Sequence, residues 1–173
     1  MKILNRRQFL LSAGKGLVGL SAGITMLKAC SSPRTKAMTG KIMTVNGPIN
    51  PQDLGSTLPH EHVLVDFIGA EQVSKDRYNS DEAFDAVLPY LLEVKELGCD
   101  TLVECTPAYI GRDAELCRRL AVASGVKLLT NTGYYGAAGD KFVPPYAYNE
   151  SAEELAARWT LEWENGIGGT GIY

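Results

Sequence analysis

The sequence predicts an α/β fold with a parallel sheet. After residue 40, strand-like segments alternate with three amphipathic helical patterns, and the residues best suited to chemistry follow the strands. A strand, helix, strand order with right-handed crossovers builds a parallel sheet. Such a sheet is either open and doubly wound or part of a (β/α)8 barrel.

The strands are predicted from short β-rich runs bounded by turn residues. A strand at 41–45 and a turn-rich return at 46–51 come first, and the strand at 56–62 follows. Two further strands are predicted at 99–106 and 126–132. Each of the last three strands precedes a helical pattern.

The helices are predicted from their starts, stops and apolar spacing. Ser80 is predicted to cap a first helix that Gly98 ends, and a second helix spans 113–124 before Gly125. The apolar residues of the first helix are spaced for a single face: Phe84, Val87, Leu88, Leu91 and Leu92. Ser151 and Glu154 form a capping box that opens a third helix running to 164.

Two observations favour the barrel over the open sheet. No Gly-x-Gly-x-x-Gly follows the first strand, so the dinucleotide-binding signature is missing there. The distinctive residues lie instead near the carboxyl ends of strands, where barrel enzymes place their chemistry. These residues are His60, His62, Glu104, Thr106, Thr132, Tyr134 and Tyr135.

Both histidines of the chain, His60 and His62, lie in one His-x-His pair. In a strand, residues i and i+2 point to the same face with their backbones roughly 6.5 to 7 Å apart, so the two imidazoles can converge on one ion. Neutral imidazole is a common ligand of zinc and related metals. The pair therefore predicts metal binding.

The first 29 residues resemble a bacterial export signal. A twin-arginine pattern, Arg6 and Arg7, precedes a mildly apolar, glycine-rich stretch interrupted by Lys15. A membrane-spanning helix of about 20 residues is the alternative, but it would be more hydrophobic and free of a central lysine. We therefore expect export by the Tat pathway.

The end of this signal resembles a lipoprotein cleavage box. Cys30 would become the acylated N-terminus, giving a periplasmic or membrane-anchored lipoprotein, although Lys28 is unusual there. The alternative is a secreted protein without a lipid anchor that is cleaved nearby. Residues 30–40 are then a linker, and residues 41–173 form the folded domain.

Charge and cysteine content exclude some classes of protein. Residues 1–29 hold five basic residues and no acidic one, so the remainder carries 12 basic and 20 acidic residues. Such a surface repels phosphate backbones, and nucleic acid is not an expected partner. Cys99, Cys105 and Cys117 are interpreted as buried thiols, with one disulfide as the alternative and metal ligation least favoured.

Four stretches in order resemble the phosphotriesterase-like family of the amidohydrolase superfamily. The first is Gly-Ser-Thr-Leu-Pro-His-Glu-His-Val at 55–63. The others are 103–106 with 110–113, then 132–135, then 166–172. The resemblance covers about residues 41 to 173.

This resemblance implies a barrel hydrolase with two Zn²⁺ ions, in which His60 and His62 ligate one metal. A carboxylated lysine on strand 4, histidines on strands 5 and 6 and an aspartate on strand 8 complete the set in such enzymes. An activated hydroxide attacks a small-molecule lactone, carboxylic ester or phosphotriester.

Several other residues have two possible roles. Glu104 is interpreted as a group supporting the metal ligands, or as a structural hydrogen-bonding or ion-paired residue. Tyr135 is interpreted as a substrate-pocket residue or a packing residue, with Tyr134 as the competing choice. Gly111, Arg112 and Asp113 are expected to fix the start of the second helix rather than to bind substrate.

Asp66 is not expected to be a metal ligand, because it lies beyond the histidine pair and matches no ligand of the family. Trp159 and Trp163 are expected to form a packing face of the third helix.

Length indicates a fragment, because an eight-stranded barrel needs about 250 residues. Strands 4 to 8 and their ligands are then missing, and the fragment alone is expected to be inactive. Two other readings stay open: an exported, non-catalytic binding lipoprotein on the same scaffold, and a non-functional truncation.

Overall fold

The computed structural model describes residues 40–173, in which a short β-hairpin precedes three strand and helix units. The strands are β1 (Ile42–Thr44), β2 (Gly47–Ile49), β3 (Thr57–Glu61), β4 (Thr101–Glu104) and β5 (Lys127–Leu129). The helices are α1 (Ser80–Glu96), α2 (Ala114–Ser124) and α3 (Ala152–Asn165). The predicted export signal, Cys30 and all but the last residue of the predicted linker lie outside the described residues.

The sheet topology confirms the predicted parallel arrangement. Strands β3, β4 and β5 are neighbours in sequence order and pair in parallel. Strands β1 and β2 pair antiparallel as a separate hairpin. Val45, in the turn between β1 and β2, donates its N–H to the Leu128 carbonyl at 2.9 Å, which joins the hairpin to β5.

The strands are shorter than the sequence predicts. The sequence predicts that Cys99 begins the second parallel strand. In the structure its N–H donates to the Val94 carbonyl, so Cys99 belongs to the segment that ends α1. The ladder of β4 therefore begins only at Thr101. At the other end of the sheet, β5 stops at Leu129, three residues before the predicted end.

The hydrophobic core lies between the sheet and helices α1 and α2. Leu102 and Leu128 contribute from the strands and pack against helix residues of which Leu116 and Leu120 are almost completely buried. Complete burial of a leucine side chain stabilises a fold by about 1.5–3 kcal/mol. These contacts fix the helices against the outer face of the sheet.

Helix ends follow the predicted chemistry except at α1. Gly125 ends α2 in the left-handed conformation (φ 70°), and Ser151 and Glu154 form the predicted capping box of α3. The prediction that Ser80 caps α1 was wrong, because Ser80 is the first helical residue. The N-cap is Asn79, whose side chain accepts from the N–H groups of Asp81 and Glu82.

Helix α3 contributes no completely buried residue. Trp159 packs edge-on against Tyr134 with ring centroids 5.8 Å apart, whereas Trp163 is 41% exposed. The predicted tryptophan face is therefore in contact at one of its two positions. No helix within residues 40–173 has the length and apolar character needed to cross a bilayer.

Asn79→Ala should lower the free energy of unfolding by about 1 kcal/mol, because two N–H groups of α1 lose their acceptor. Denaturant titration of the chain measures this change. Ser80→Ala is the matched control and should cost clearly less, since the Ser80 hydroxyl contacts only exposed Arg119. A larger loss for Ser80→Ala would contradict the assignment of the cap.

Candidate functional site

The two histidines lie together at the carboxyl end of β3. Their ring centroids are 5.3 Å apart with the planes at 76°, and both residues are exposed. The rings of His60 and His62, the predicted metal ligands, therefore lie next to each other.

An irregularity in β3 sets the direction of this pair. Leu58 pairs with Leu102, but Glu61 pairs with Glu104. Strand β3 therefore has one more residue than β4 over this part of the ladder, which is a β-bulge. Pro59 lies inside this step and has no N–H to donate to a ladder. Bulges of this kind re-aim side chains next to functional sites.

A buried threonine contacts the second histidine. The Nδ1 atom of His62 lies 2.9 Å from the Oγ1 atom of Thr106, which is completely buried. Thr106 follows the end of β4, which places it beside the end of β3. The sequence places Thr106 near a strand end but does not reveal its role, because its partner is 44 residues away.

Glu104 lies beneath the pair, where it is 1% exposed. Its carboxylate accepts from the Val63 N–H at 3.3 Å and from the Thr106 N–H at 3.2 Å. Burial raises the pKa of Glu104, and these hydrogen bonds and His62 oppose that rise. The predicted structural hydrogen-bonding role of Glu104 is present in this arrangement, which joins the segments that follow β3 and β4.

The segment after His62 is fixed by backbone contacts and an ion pair. Asp66 accepts from the Arg77 Nε atom at 2.6 Å and from the Ile68 N–H at 3.0 Å. The hydrogen bond from Arg77 holds the pKa of Asp66 below its ordinary value. Asp66 thus pairs with Arg77 and caps the turn that follows it.

The backbone conformation at position 111 requires the glycine of the 110–113 stretch. Its φ is 112°, and a Cβ atom there would lie 3.1 Å from the Leu64 carbonyl oxygen and the Asp66 nitrogen. Only glycine allows this conformation and this close approach without strain. The glycine lets the loop after β4 contact the loop after the histidines.

The other two residues of that motif hold helices. The side chain of Arg112, which is 8% exposed, donates to Glu162 of α3 at 2.5 and 3.0 Å and to the Asn131 carbonyl at 2.7 Å. Asp113 caps α2 and accepts from Tyr78 and Lys75. The predicted structural role of this motif agrees with these contacts.

A cavity of about 690 Å³ lies beside this loop. Its lining includes Leu64, Val65, Tyr109, Arg77 and Thr170. Neither histidine lines it, although Leu64 is only two residues beyond His62. The cavity therefore neighbours the histidine pair in the chain without containing it.

Tyr135 lies apart from the histidines in this structure. It is 44% exposed and stacks on Phe142 with ring centroids 5.7 Å apart. Tyr134, the competing choice, joins an aromatic cluster in which its hydroxyl lies 2.9 Å from that of Tyr146. Burial and the hydrogen bond to Tyr146 raise the pKa of Tyr109, the third tyrosine of the cluster, to about 12.

The three described cysteines are free thiols. Cys117 is buried as predicted, and burial raises its pKa, followed by the charges of Glu104 and Asp113. Cys99 and Cys105 are half-buried, so the interpretation of all three as buried thiols was too strong. Within residues 40–173, no three His, Cys, Asp or Glu side chains converge as a metal site.

Together, a parallel sheet with helices packed on it and polar side chains at the carboxyl ends of its strands are the layout of part of a (β/α)8 barrel. A model of the phosphotriesterase family matches residues 40–173. The chain belongs to the phosphotriesterase family.

Curated relatives agree with this assignment. The phosphotriesterase-related protein of Nematostella vectensis is 28% identical, over 78% of this chain and 46% of its own. The aryldialkylphosphatase of Saccharolobus solfataricus is 31% identical, over 70% of this chain and 38% of its own. The chain thus spans less than half the length of these relatives.

Solved structures support the fold. Organophosphorus hydrolase from Deinococcus radiodurans is 27% identical with a TM-score of 0.65, covering 77% of this chain and 41% of the hydrolase. A resiniferatoxin-binding protein from Rhodobacter sphaeroides is 26% identical with a TM-score of 0.63, covering 78% of this chain and 44% of that protein. The fold is accordingly the N-terminal part of a (β/α)8 barrel, as predicted.

Asp66→Asn should lower the free energy of unfolding at pH 7 by about 0.5–1 kcal/mol, because the ion pair with Arg77 is lost. The folded pKa of Asp66 is lowered, so the contribution is complete above the ordinary value of 3.8 and is lost as pH falls through the lowered value. Urea titrations across this range measure the difference. Asp85→Asn, at an exposed position of α1, is the control, and an equal pH-dependent loss there would contradict the assignment.

Proposed function

We propose that this chain contributes the first-strand ligands of a metal-dependent hydrolase that acts on ester bonds. The observation that carries the proposal is the histidine pair, with its rings 5.3 Å apart and exposed at the carboxyl end of β3. Membership of the phosphotriesterase family supports it. The substrate class proposed is a small lactone, carboxylic ester or phosphotriester.

The donor set fits two coordination positions of a divalent metal. His60 and His62 are the residues that would hold the ion, and mixed nitrogen and oxygen ligand sets of this kind can hold zinc, cobalt, manganese or iron. The rings are accessible, while the groups behind them are buried. A complete centre with two Zn²⁺ ions would take its remaining ligands from barrel strands that follow those described here.

The chemistry of the bound metal would be to lower the pKa of a water molecule and to polarise the ester oxygen. The residues of this chain orient that centre. Glu104 and Thr106 fix the backbone and side chain around His62, and the bulge at Pro59 directs both rings to one side. The loop held by Asp66 and Arg77 adjoins the cavity, which offers space for a small-molecule substrate.

A second candidate function is binding without catalysis. The structural similarity to a resiniferatoxin-binding protein favours it, because that protein is described as a binding protein and has a similar fold. A binding protein would still hold its ligand in the cavity, and the histidines would not be needed for that binding. Resiniferatoxin binding that survives His60→Ala, with metal binding lost, would support this function.

Metal titration tests the hydrolase proposal. We expect His60→Ala and His62→Ala to weaken Zn²⁺ and Co²⁺ binding by at least about tenfold, because each removes one of two ligands. Isothermal titration of the chain measures both affinities. Glu61→Gln is the matched control, since Glu61 lies between the two histidines and pairs with Glu104 of β4.

Ester hydrolysis is the second measurement. Any turnover of aryl esters, lactones or phosphotriesters by the metal-loaded chain should disappear in His60→Ala and in the presence of a chelator. Full turnover by His60→Ala would overturn the proposal. Metal binding unchanged in both histidine variants would do the same.

We also propose export by the Tat pathway, with lipid anchoring through Cys30. The support is the twin-arginine pattern and the cysteine that follows the apolar stretch. Replacing Arg6 and Arg7 by lysine should retain the chain in the cytoplasm, as fractionation of a Tat-competent bacterium would show. Cys30→Ser should move the exported chain from the membrane to the soluble periplasmic fraction, and the same substitution at Cys99 should not.

A further inference from the structure

Tyr109, in the loop after β4, has a backbone conformation that is costly for an aromatic residue. Its φ is 70°, in the left-handed region, and within residues 40–173 it is the only aromatic residue with a positive φ. In this region the Cβ atom crowds the following carbonyl oxygen, which only glycine avoids and asparagine or aspartate tolerates. Strain of this kind persists where the surrounding structure enforces it, and it concentrates at ligand sites.

The residue after Tyr109 enforces the strained backbone. Ile110 is 2% exposed, and its N–H donates to the Pro107 carbonyl at 3.4 Å. The Ile110 carbonyl accepts from the Asp66 N–H at 2.8 Å. Relaxation of Tyr109 would pull Ile110 out of these contacts, so the backbone of Tyr109 stays in the left-handed region.

The side chain of Tyr109 is fixed by two other tyrosines. Its hydroxyl lies 2.8 Å from that of Tyr146, which precedes α3. Its ring centroid lies 5.6 Å from that of Tyr134, which follows β5. The Tyr109 ring is therefore held against the connection between β5 and α3 and cannot swing aside freely.

Tyr109 also lines the cavity of about 690 Å³, a volume within the range of about 300–1,000 Å³ that is usual for small-molecule sites. Apolar residues such as Val65, Val73 and Ile167 line it as well. Each cation of the lining is paired with a carboxylate that also lines the cavity. These pairs are Lys75 with Glu115, Arg77 with Asp66, and Arg112 with Glu162. With its charges paired, the cavity suits an uncharged ligand.

We propose that Tyr109 is a specificity-determining residue, whose ring is a rigid wall of the cavity and limits the size of the uncharged ester or lactone that enters. The inference rests on the proposed function for the class of ligand, but it needs neither the histidines nor a metal. A flexible side chain would move aside for a larger group. A wall fixed at its backbone and at its hydroxyl excludes that group instead, because overpacking is unfavourable.

The strain is tested by comparing Tyr109→Gly with Tyr109→Ala in denaturant titrations. Both variants lack the ring, but glycine adopts a φ of 70° freely, so its unfolding equilibrium constant should be lower by about 5-fold. Tyr78 is the matched control, because it lines the same cavity with a φ of −143°. There the glycine variant should be no more stable than the alanine variant. A glycine variant less stable than the alanine variant at position 109 would overturn the inference.

Ligand size is tested with γ-butyrolactone and γ-octalactone, which carries a butyl group on the same ring. Shifts of the methyl signals of Leu64 and Val65, which line the cavity, report binding to the metal-free chain. Tyr109→Gly should raise the affinity for γ-octalactone relative to γ-butyrolactone by at least about tenfold, because each newly buried methylene strengthens binding by about fourfold. Tyr109→Phe, which keeps the ring, and Tyr90→Gly, at an exposed position of α1, should keep the wild-type ratio.

The outcomes separate this inference from the proposed function. An unchanged ratio in Tyr109→Gly overturns the inference, and so does the absence of lactone binding by both the wild type and this variant. If Tyr109→Gly does not fold, Tyr109→Asn gives the same test, because asparagine tolerates the left-handed region. Failure of metal binding or of hydrolysis would sink the proposed function and leave the size preference intact, since these titrations contain no metal.

Discussion

The buried carboxylate of Glu104 is the constraint on which the site depends. It lies at the end of β4 and accepts from Val63, which follows β3, so it joins the ends of two parallel strands. Burying a carboxylate is costly unless donors surround it, and two backbone N–H groups meet this requirement. Any rotation of the segment that contains His62 would break the hydrogen bond from Val63 to Glu104. Glu104 therefore fixes the position of the histidine pair.

Much of the fold could be predicted because the sequence patterns that specify its helices are local. The apolar spacing of α1, the glycine after α2 and the capping box of α3 each depend on residues within a few positions of one another. The cap of α1 was missed because Asn79 and Ser80 are adjacent and both are good N-cap residues. Only the side-chain contact to Asp81 and Glu82 separates them.

The site could be predicted only in part, for a physical reason. The His-x-His pair is a local pattern, and the period of a strand brings its rings together without any other element. The partner of His62 is 44 residues away, and the bulge that aims the rings appears only when β3 and β4 are paired. Tyr134 and Tyr135 begin the long connection between β5 and α3, where adjacent side chains diverge and sequence spacing specifies no face.

The distribution of burial distinguishes this histidine pair from histidines that merely pack. A packing histidine is covered by its neighbours, whereas here the rings are exposed and the groups that orient them are 0–1% exposed. In general, a metal-ligating histidine needs rigid groups that fix its ring and an open side from which the ion can bind. Glu61, between the two histidines, pairs with Glu104 of β4. The buried, hydrogen-bonded part of the site therefore lies beneath the two rings, whereas the histidines themselves are open to solvent.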